Sequence, residues 1–183
     1  MVLTSSNTVD SGTKAPNFEL PDPQGQRFTL QQVAGQQGVL VAFICNHCPF
    51  VVHLKTELAA LAKRLQSQGI GVVAINANDI ESYPQDRPEL MQADSVEFGY
   101  PFPYLFDETQ AVAKAYDAAC TPDFFLYDAN LALVYHGQFD DSRPGNDFPV
   151  DGRDIEAAAN NMLSGQPVVE AKPSIGCNIK WRA

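Results

Sequence analysis

Two of the four cysteines in this chain, Cys45 and Cys48, stand three positions apart with Asn46 and His47 between them. The six residues before and including position 44 are apolar and read as a buried strand. After the pair, Val51, Leu54, Leu58, Leu61 and Leu65 recur at helical spacing. A dithiol at such a strand-to-helix junction has a physical basis. The first thiol faces the unpaired N–H groups of the helix and the positive end of its dipole. That field favours thiolate over thiol, and the thiolate is the attacking form. The second thiol is close enough to close a disulfide. Two cysteines at this spacing, beside a strand–helix–strand pattern, point to redox chemistry rather than to small buried apolar residues.

The elements that must hold the pair can be read around it. The chain has 183 residues, 45% hydrophobic and 19% charged, the composition of one ordinary globular domain. We therefore expect a single domain over 1–183, with a core at about 13–165 and a tail at 166–183. A net charge of −10 argues against nucleic acid and anionic membranes as partners. The first residues lack a basic start followed by an apolar run, and no apolar run is long enough to span a bilayer. The expectation is a cytoplasmic protein, where four cysteines are redox or metal residues rather than structural staples. Residues 1–12 are small, polar and expected to be mobile. Residues 15–30 hold two alternating runs around Pro23-Gln24-Gly25, a hairpin. A helix over 48–68 stops at Gly69, and 70–77 is a second apolar strand, giving a parallel strand–helix–strand unit. A weaker helix follows at 84–98, with Leu90, Met91, Ala93 and Val96 as its buried side. Then come a strand at 102–106, a helix at 109–116, a hairpin of strands at 123–127 and 131–137, and a helix at 152–163.

Three segments together resemble a known superfamily: APNFELPD at 15–22, the strand–CNHC–helix, and Cys120-Thr121-Pro122-Asp123-Phe124-Phe125. They are similar to thioredoxin-like proteins, nearest to the redoxin branch that includes AhpC/TSA peroxiredoxins and membrane-tethered thiol reductants. QFDDSRPGN and SIGCNIKW look like a less characterised subgroup of that branch. The resemblance implies an α/β thioredoxin-like fold: a central mixed sheet flanked by helices, an N-terminal β-hairpin extension and a C-terminal tail. It implies a cis Thr121–Pro122 bond packed against the dithiol. It makes Cys45 the exposed nucleophile and Cys48 the buried resolving thiol of a thiol–disulfide oxidoreductase with a redox-active disulfide. His47, protonated or donating, would stabilise the Cys45 thiolate. The chemistry needs no cofactor and no metal. It needs a protein or small-molecule disulfide as substrate, and an external thiol donor such as a thioredoxin or glutathione system.

Several side chains have weaker readings. Cys120 sits two residues before Pro122, so a third thiol is expected close to Cys45 unless it is plain core. Cys177 lies in a tail whose Ile175, Ile179 and Trp181 supply apolar area for docking, which would place it beside Cys120 or Cys45. No Asp or Glu lies on the 39–44 strand, so the usual buried proton-carrying carboxylate is not visible. Glu57, Asp140 and Asp141 read as solvated charges, His53 and His136 as structural, and Arg143 as a turn salt bridge. Two other functions compete. A peroxiredoxin-like, antioxidant thiol peroxidase would use Cys48, but that family's Pro-x-x-x-Thr-x-x-Cys pattern meets Val41 and Cys45 at its two leading positions. A thiolate metal-binding protein, faintly similar to Sco-type copper chaperones, could use Cys45, Cys48, Cys120 and Cys177 if the tail folds back.

Overall fold

The computed structural model describes residues 3–168 and 170–182. In chain order its elements begin with β1 (Leu3–Ser5), β2 (Glu19–Pro21), β3 (Arg27–Thr29), α1 (Leu30–Val33), β4 (Gly38–Phe43), α2 (Pro49–Val52) and α3 (Lys55–Ser67). They continue with β5 (Ile70–Asn76), a 3-10 turn (Pro84–Asp86), α4 (Pro88–Glu97), β6 (Tyr104–Phe106) and α5 (Ala111–Ala115). The last are β7 (Cys120–Thr121), β8 (Asp123–Asp128), β9 (Leu133–Gly137), α6 (Arg153–Leu163) and β10 (Ile175–Asn178).

The central sheet is mixed. β4, β8 and β9 pair antiparallel in that order, and β5 pairs parallel with β6. The two runs meet where β4 lies against β5, the Ile44 N–H donating to the Ile75 carbonyl at 3.0 Å. Every residue of β4 is buried, as a continuous apolar run covered on both faces requires. One face carries Leu40, Ala42, Leu58, Leu61, Leu65 and Phe124, so the apolar stripe of α3 closes over it. The other carries Val39, Val41, Phe43, Val73, Phe125 and Tyr127. Alternate residues of one strand thus enter different cores. The expected hairpin is β2–β3, and Thr29 with Gln32 forms a capping box where it turns into α1. Among the described residues no helix is long and apolar enough to cross a membrane.

Four expectations are corrected. The helix over 48–68 is two helices, broken at His53–Leu54 and restarted at Lys55, whose ammonium is drawn inward to the Asn46 carbonyl at 2.9 Å and to Asp94. The helix over 84–98 is interrupted by Pro88, which disfavours helical backbone at Arg87. Of its expected buried side only Met91 is buried, while Leu90 is 45% and Val96 71% exposed. The segment 1–12 is not loose in the described part: Leu3–Ser5 is a strand. It pairs with β10, which pairs in turn with β7, making a second three-stranded sheet in which strands from the two ends of the chain join β7.

Candidate active site

Cys45 follows the end of β4 and Cys48 is the N-cap of α2, with Pro49 at the first helical position where its missing N–H costs nothing. Asn46 pins the turn between them from every side. Its N–H donates to Asp86 Oδ1 (2.9 Å), its amide to the Gln85 carbonyl (3.1 Å), and its side-chain oxygen accepts from the Tyr104 hydroxyl (2.9 Å). The Thr121–Pro122 bond is cis, as expected. It brings Thr121 onto both sulfurs: Oγ1 lies 3.4 Å from Cys45 Sγ, and the Thr121 carbonyl accepts from Cys48 Sγ at 3.2 Å.

Cys45 is not the exposed thiol. It is 1% exposed and Cys48 0%, because Thr121, the turn around Asn46 and the C-terminal tail close over both. Nor is Cys45 the more acidic. Ionised, Cys48 accepts hydrogen bonds from the Cys45 and Cys177 thiols and from the backbone N–H groups of Cys177 and Val51. These outweigh burial and hold it below the ordinary thiol range. Cys45 is the donor in that arrangement, and it is pushed up by the bond to Cys48, by burial and by the negative charge of Asp86.

Asp86 is the buried carboxylate that strand 39–44 lacks. It comes from the 3-10 turn, is fully buried, and also accepts from the Asn78 amide at 2.8 Å. The hydrogen-bond partner of His47 is Asp86 rather than Cys45: its Nδ1 lies 2.7 Å from Asp86 Oδ2 and its ring stacks on Tyr83. Lys180, in the tail, lies over the other ring of that stack, 5.5 Å from the Tyr83 centroid. Tyr83 and Asp86 carry no functional reading in the sequence. The only trace of Asp86 is a carboxylate bracketed by Pro84 and Pro88 shortly after a strand end.

The tail docks, but not where expected. Cys177 pairs across β10–β7 with Thr121, and its Sγ lies 2.7 Å from Cys48 Sγ, beside neither Cys120 nor Cys45. Burial, then the neighbouring Cys48, push its thiol up. Cys120 points the other way, its Sγ donating to the Pro122 carbonyl at 3.5 Å, and burial pushes it well above the ordinary range. The four-thiolate metal site is therefore not assembled. Among the described residues, the group whose ligand atoms converge within 4.8 Å is Cys45, His47 and Asp86.

The remaining candidates resolve into structural roles. His136 pairs with the buried Asp123 at 2.9 Å and stacks on Phe125. His53 is half-buried with an unpartnered Nε2. Asp140 is not solvated: it is buried and accepts from the N–H groups of Asp151 and Gly152 where α6 begins. Glu57 and Asp141 do pair at the surface, with Arg64 and Lys172. Arg143 donates to the Asp140 and Ser142 carbonyls and to Gln138 rather than to a carboxylate. A cavity of about 510 Å³ lies between residues 6–11, β9 and the tail near Ala171, and neither Cys45 nor Cys48 lines it.

The sequence profile of the AhpC/TSA family matches residues 11–136. The thiol-disulfide oxidoreductase ResA of Geobacillus kaustophilus (strain HTA426) is 30% identical over 132 residues, 70% of this chain and 69% of that protein. The crystal structure of an uncharacterized conserved protein from Geobacillus kaustophilus superposes with a TM-score of 0.96 at 52% identity, covering 100% of this chain and 97% of the other. The thioredoxin domain of a thiol-disulfide oxidoreductase from Bacteroides vulgatus superposes with a TM-score of 0.61 at 17% identity, over 81% of this chain and 97% of that one, a likeness of fold.

Proposed function

The chain belongs to the AhpC/TSA family, in the redoxin branch of the thioredoxin-like superfamily, and from that premise we propose that Cys45 and Cys48 are the redox-active dithiol of a thiol–disulfide oxidoreductase. The observation that carries the reading is the convergence of Thr121 on both sulfurs, its Oγ1 3.4 Å from Cys45 Sγ and its carbonyl 3.2 Å from Cys48 Sγ, at the strand-to-helix turn that holds the two cysteines. Cys48 is held below the ordinary thiol range and Cys45 above it, so one thiolate of the pair is available near neutrality. The charge rests on Cys48, yet a thiol of higher pKa is the stronger nucleophile once ionised. Cys45 passes its proton to Cys48 as it attacks a substrate disulfide. One substrate sulfur leaves as thiolate and the other joins Cys45 in a mixed disulfide. Cys48 loses that proton again readily, attacks Cys45 Sγ, releases the second substrate thiol and leaves a Cys45–Cys48 disulfide. The substrate is reduced by two electrons and the dithiol oxidised by two; an external thiol donor resets it. Since neither sulfur is accessible, the His47–Tyr83 stack or the tail must move before a substrate enters.

The test uses a small disulfide, hydroxyethyl disulfide, on the fully reduced protein. Cys48→Ser should accumulate a mixed disulfide on Cys45, and Cys45→Ser should lose substrate cleavage. Cleavage that survives in Cys45→Ser would move the attacking role to another thiol. Peroxide turnover is expected to be slow, because Cys45 and Val41 stand where the peroxidase pattern has its hydroxyl and its proline. A hydrogen peroxide consumption assay with a thioredoxin system checks this.

A further inference from the structure

We propose that Cys177 is a third redox thiol, which takes over Cys48 from the Cys45–Cys48 disulfide and locks the C-terminal tail onto the active site. This rests on the dithiol reading above. Thiol–disulfide exchange needs three sulfurs in sequence, the attacked one between nucleophile and leaving group. Cys48 holds the middle place: it lies 2.7 Å from Cys177 on one side, and Thr121 touches both it and Cys45 on the other.

The placement of Cys177 is built by the fold. It stands opposite Thr121 in the β10–β7 ladder, and residues directly opposite in an antiparallel pair project to the same face of the sheet. The Thr121 side chain on that face touches Cys45, so Cys177 is delivered to the dithiol. Cys120, one residue earlier on β7, projects to the other face and is excluded. The preceding Gly176 lets the strand approach closely, since a Cβ there would sit 2.0 Å from the Thr121 carbonyl oxygen. On its far side β10 is held by β1, Leu3 standing opposite Cys177.

The step balances within the chain. Cys177 attacks Cys48 Sγ, the Cys45–Cys48 bond breaks and a Cys48–Cys177 bond forms. Cys45 leaves as thiolate and takes up the proton that Cys177 gave. No electrons are gained or lost, and the disulfide consumed is the one that substrate reduction creates. The exchange also needs no opening of the site, because Cys45, Cys48 and Cys177 are all buried and already neighbours. Its product is an oxidised chain with a free Cys45 thiol and a tethered tail.

Limited oxidation with diamide, alkylation of free thiols under denaturing conditions and peptide mass mapping test the proposal. Oxidised wild type should contain a Cys48–Cys177 peptide with Cys45 alkylated, and this alkylated Cys45 should be lost in oxidised Cys177→Ser, where Cys45–Cys48 alone forms. Cys45→Ser should give one Cys48–Cys177 disulfide per chain with Cys120 free. Absence of that linkage from oxidised wild type, while Cys177→Ser still forms Cys45–Cys48, overturns the inference and leaves the dithiol reading standing, whatever Cys45→Ser gives. Failure of Cys177→Ser to form Cys45–Cys48 strikes the dithiol reading instead. The wild-type map decides the matter even if the Cys45→Ser chain does not fold.

Discussion

On the Asp86 carboxylate, hydrogen bonds from the Asn46 N–H and the Asn78 amide meet the close contact with His47, while its charge opposes ionisation of Cys45. Asp86→Asn keeps the size but turns an amide toward groups that need an acceptor. A buried donor left unpaired costs about 1–3 kcal/mol, so chemical denaturation should show a loss of that order. With the charge gone, the alkylation of Cys45 should titrate at lower pH than in wild type; an unchanged or higher midpoint would show that Asp86 acts only as a structural acceptor. Cys48 gives a second residue-scale expectation. Thiolate absorbance near 240 nm should show a step below the usual value of about 8.5, absent in Cys48→Ala and retained in Cys120→Ser. Cys45→Ala removes the strongest donor to the Cys48 thiolate and should move that step upward. A step that disappears with Cys45 and stays without Cys48 would reverse the two assignments.

At the scale of elements, β10 decides whether the active site is open. It is four residues long, yet it sits between β1 and β7 and carries Cys177 onto Cys48. Gly176 is its weak point, because the Thr121 carbonyl and the Pro122 ring leave no room for a Cβ. Gly176→Ala should therefore cost about 1–3 kcal/mol, the usual range for overpacking. It should also release the strand locally, so that Cys177 reacts with iodoacetamide in the native protein far faster than in wild type. Native-like protection of Cys177 in that variant would mean that the ladder can absorb the methyl group. The tail continues to a second hold, where the Lys180 N–H donates to Asn78 and its carbonyl accepts from Asp79 and Gln110. Asn78 also holds Asp86, so the tail and the His47 environment share a support.

For the whole molecule, the pattern of buried acids sets a pH dependence. Cys45, Cys120 and Cys177 are pushed up, as are the buried tyrosines Tyr104, Tyr116, Tyr127 and Tyr135. Below about pH 8.5 both the folded and the unfolded chain hold these thiol protons, and that part of the stability is complete. Above it the unfolded chain releases protons that the folded chain retains, so stability falls as pH rises. A further loss begins near pH 10, where unfolded tyrosines ionise. Cys48 runs the other way: its lowered value contributes stability above the unfolded thiol range that is lost as pH falls through the folded value. Urea midpoints should thus decline from about pH 8.5 upward, and Cys120→Ala should decline less steeply than wild type. A flat profile between about pH 8.5 and 10 would contradict the burial of these thiols.

Much of this molecule was legible in the order of its residues, because short-range physics writes it there. The unbroken apolar run at 39–44, the helical spacing after Cys48 and the Pro/Gly hairpin at 15–30 follow from periodicity and burial, and each stands in the structure near its expected place, while the cis Thr121–Pro122 bond was implied by the resemblance to thioredoxin-like proteins. The breaks inside two of the helices were also written locally in part, as at Pro88, but a pattern of apolar spacing averages over them. What tertiary structure alone decided are contacts between residues far apart in the chain. Asp86 reaches Asn46 across 40 positions and Cys177 reaches Cys48 across 129. No local period encodes such pairs, since they depend on the register of β10 against β7 and on how the turn after β5 folds back. The same long-range enclosure buried Cys45: the helix end favours a thiolate from sequence, but Cys48 is lowered first by the neighbouring Cys45 and then by the donors that the distant tail adds.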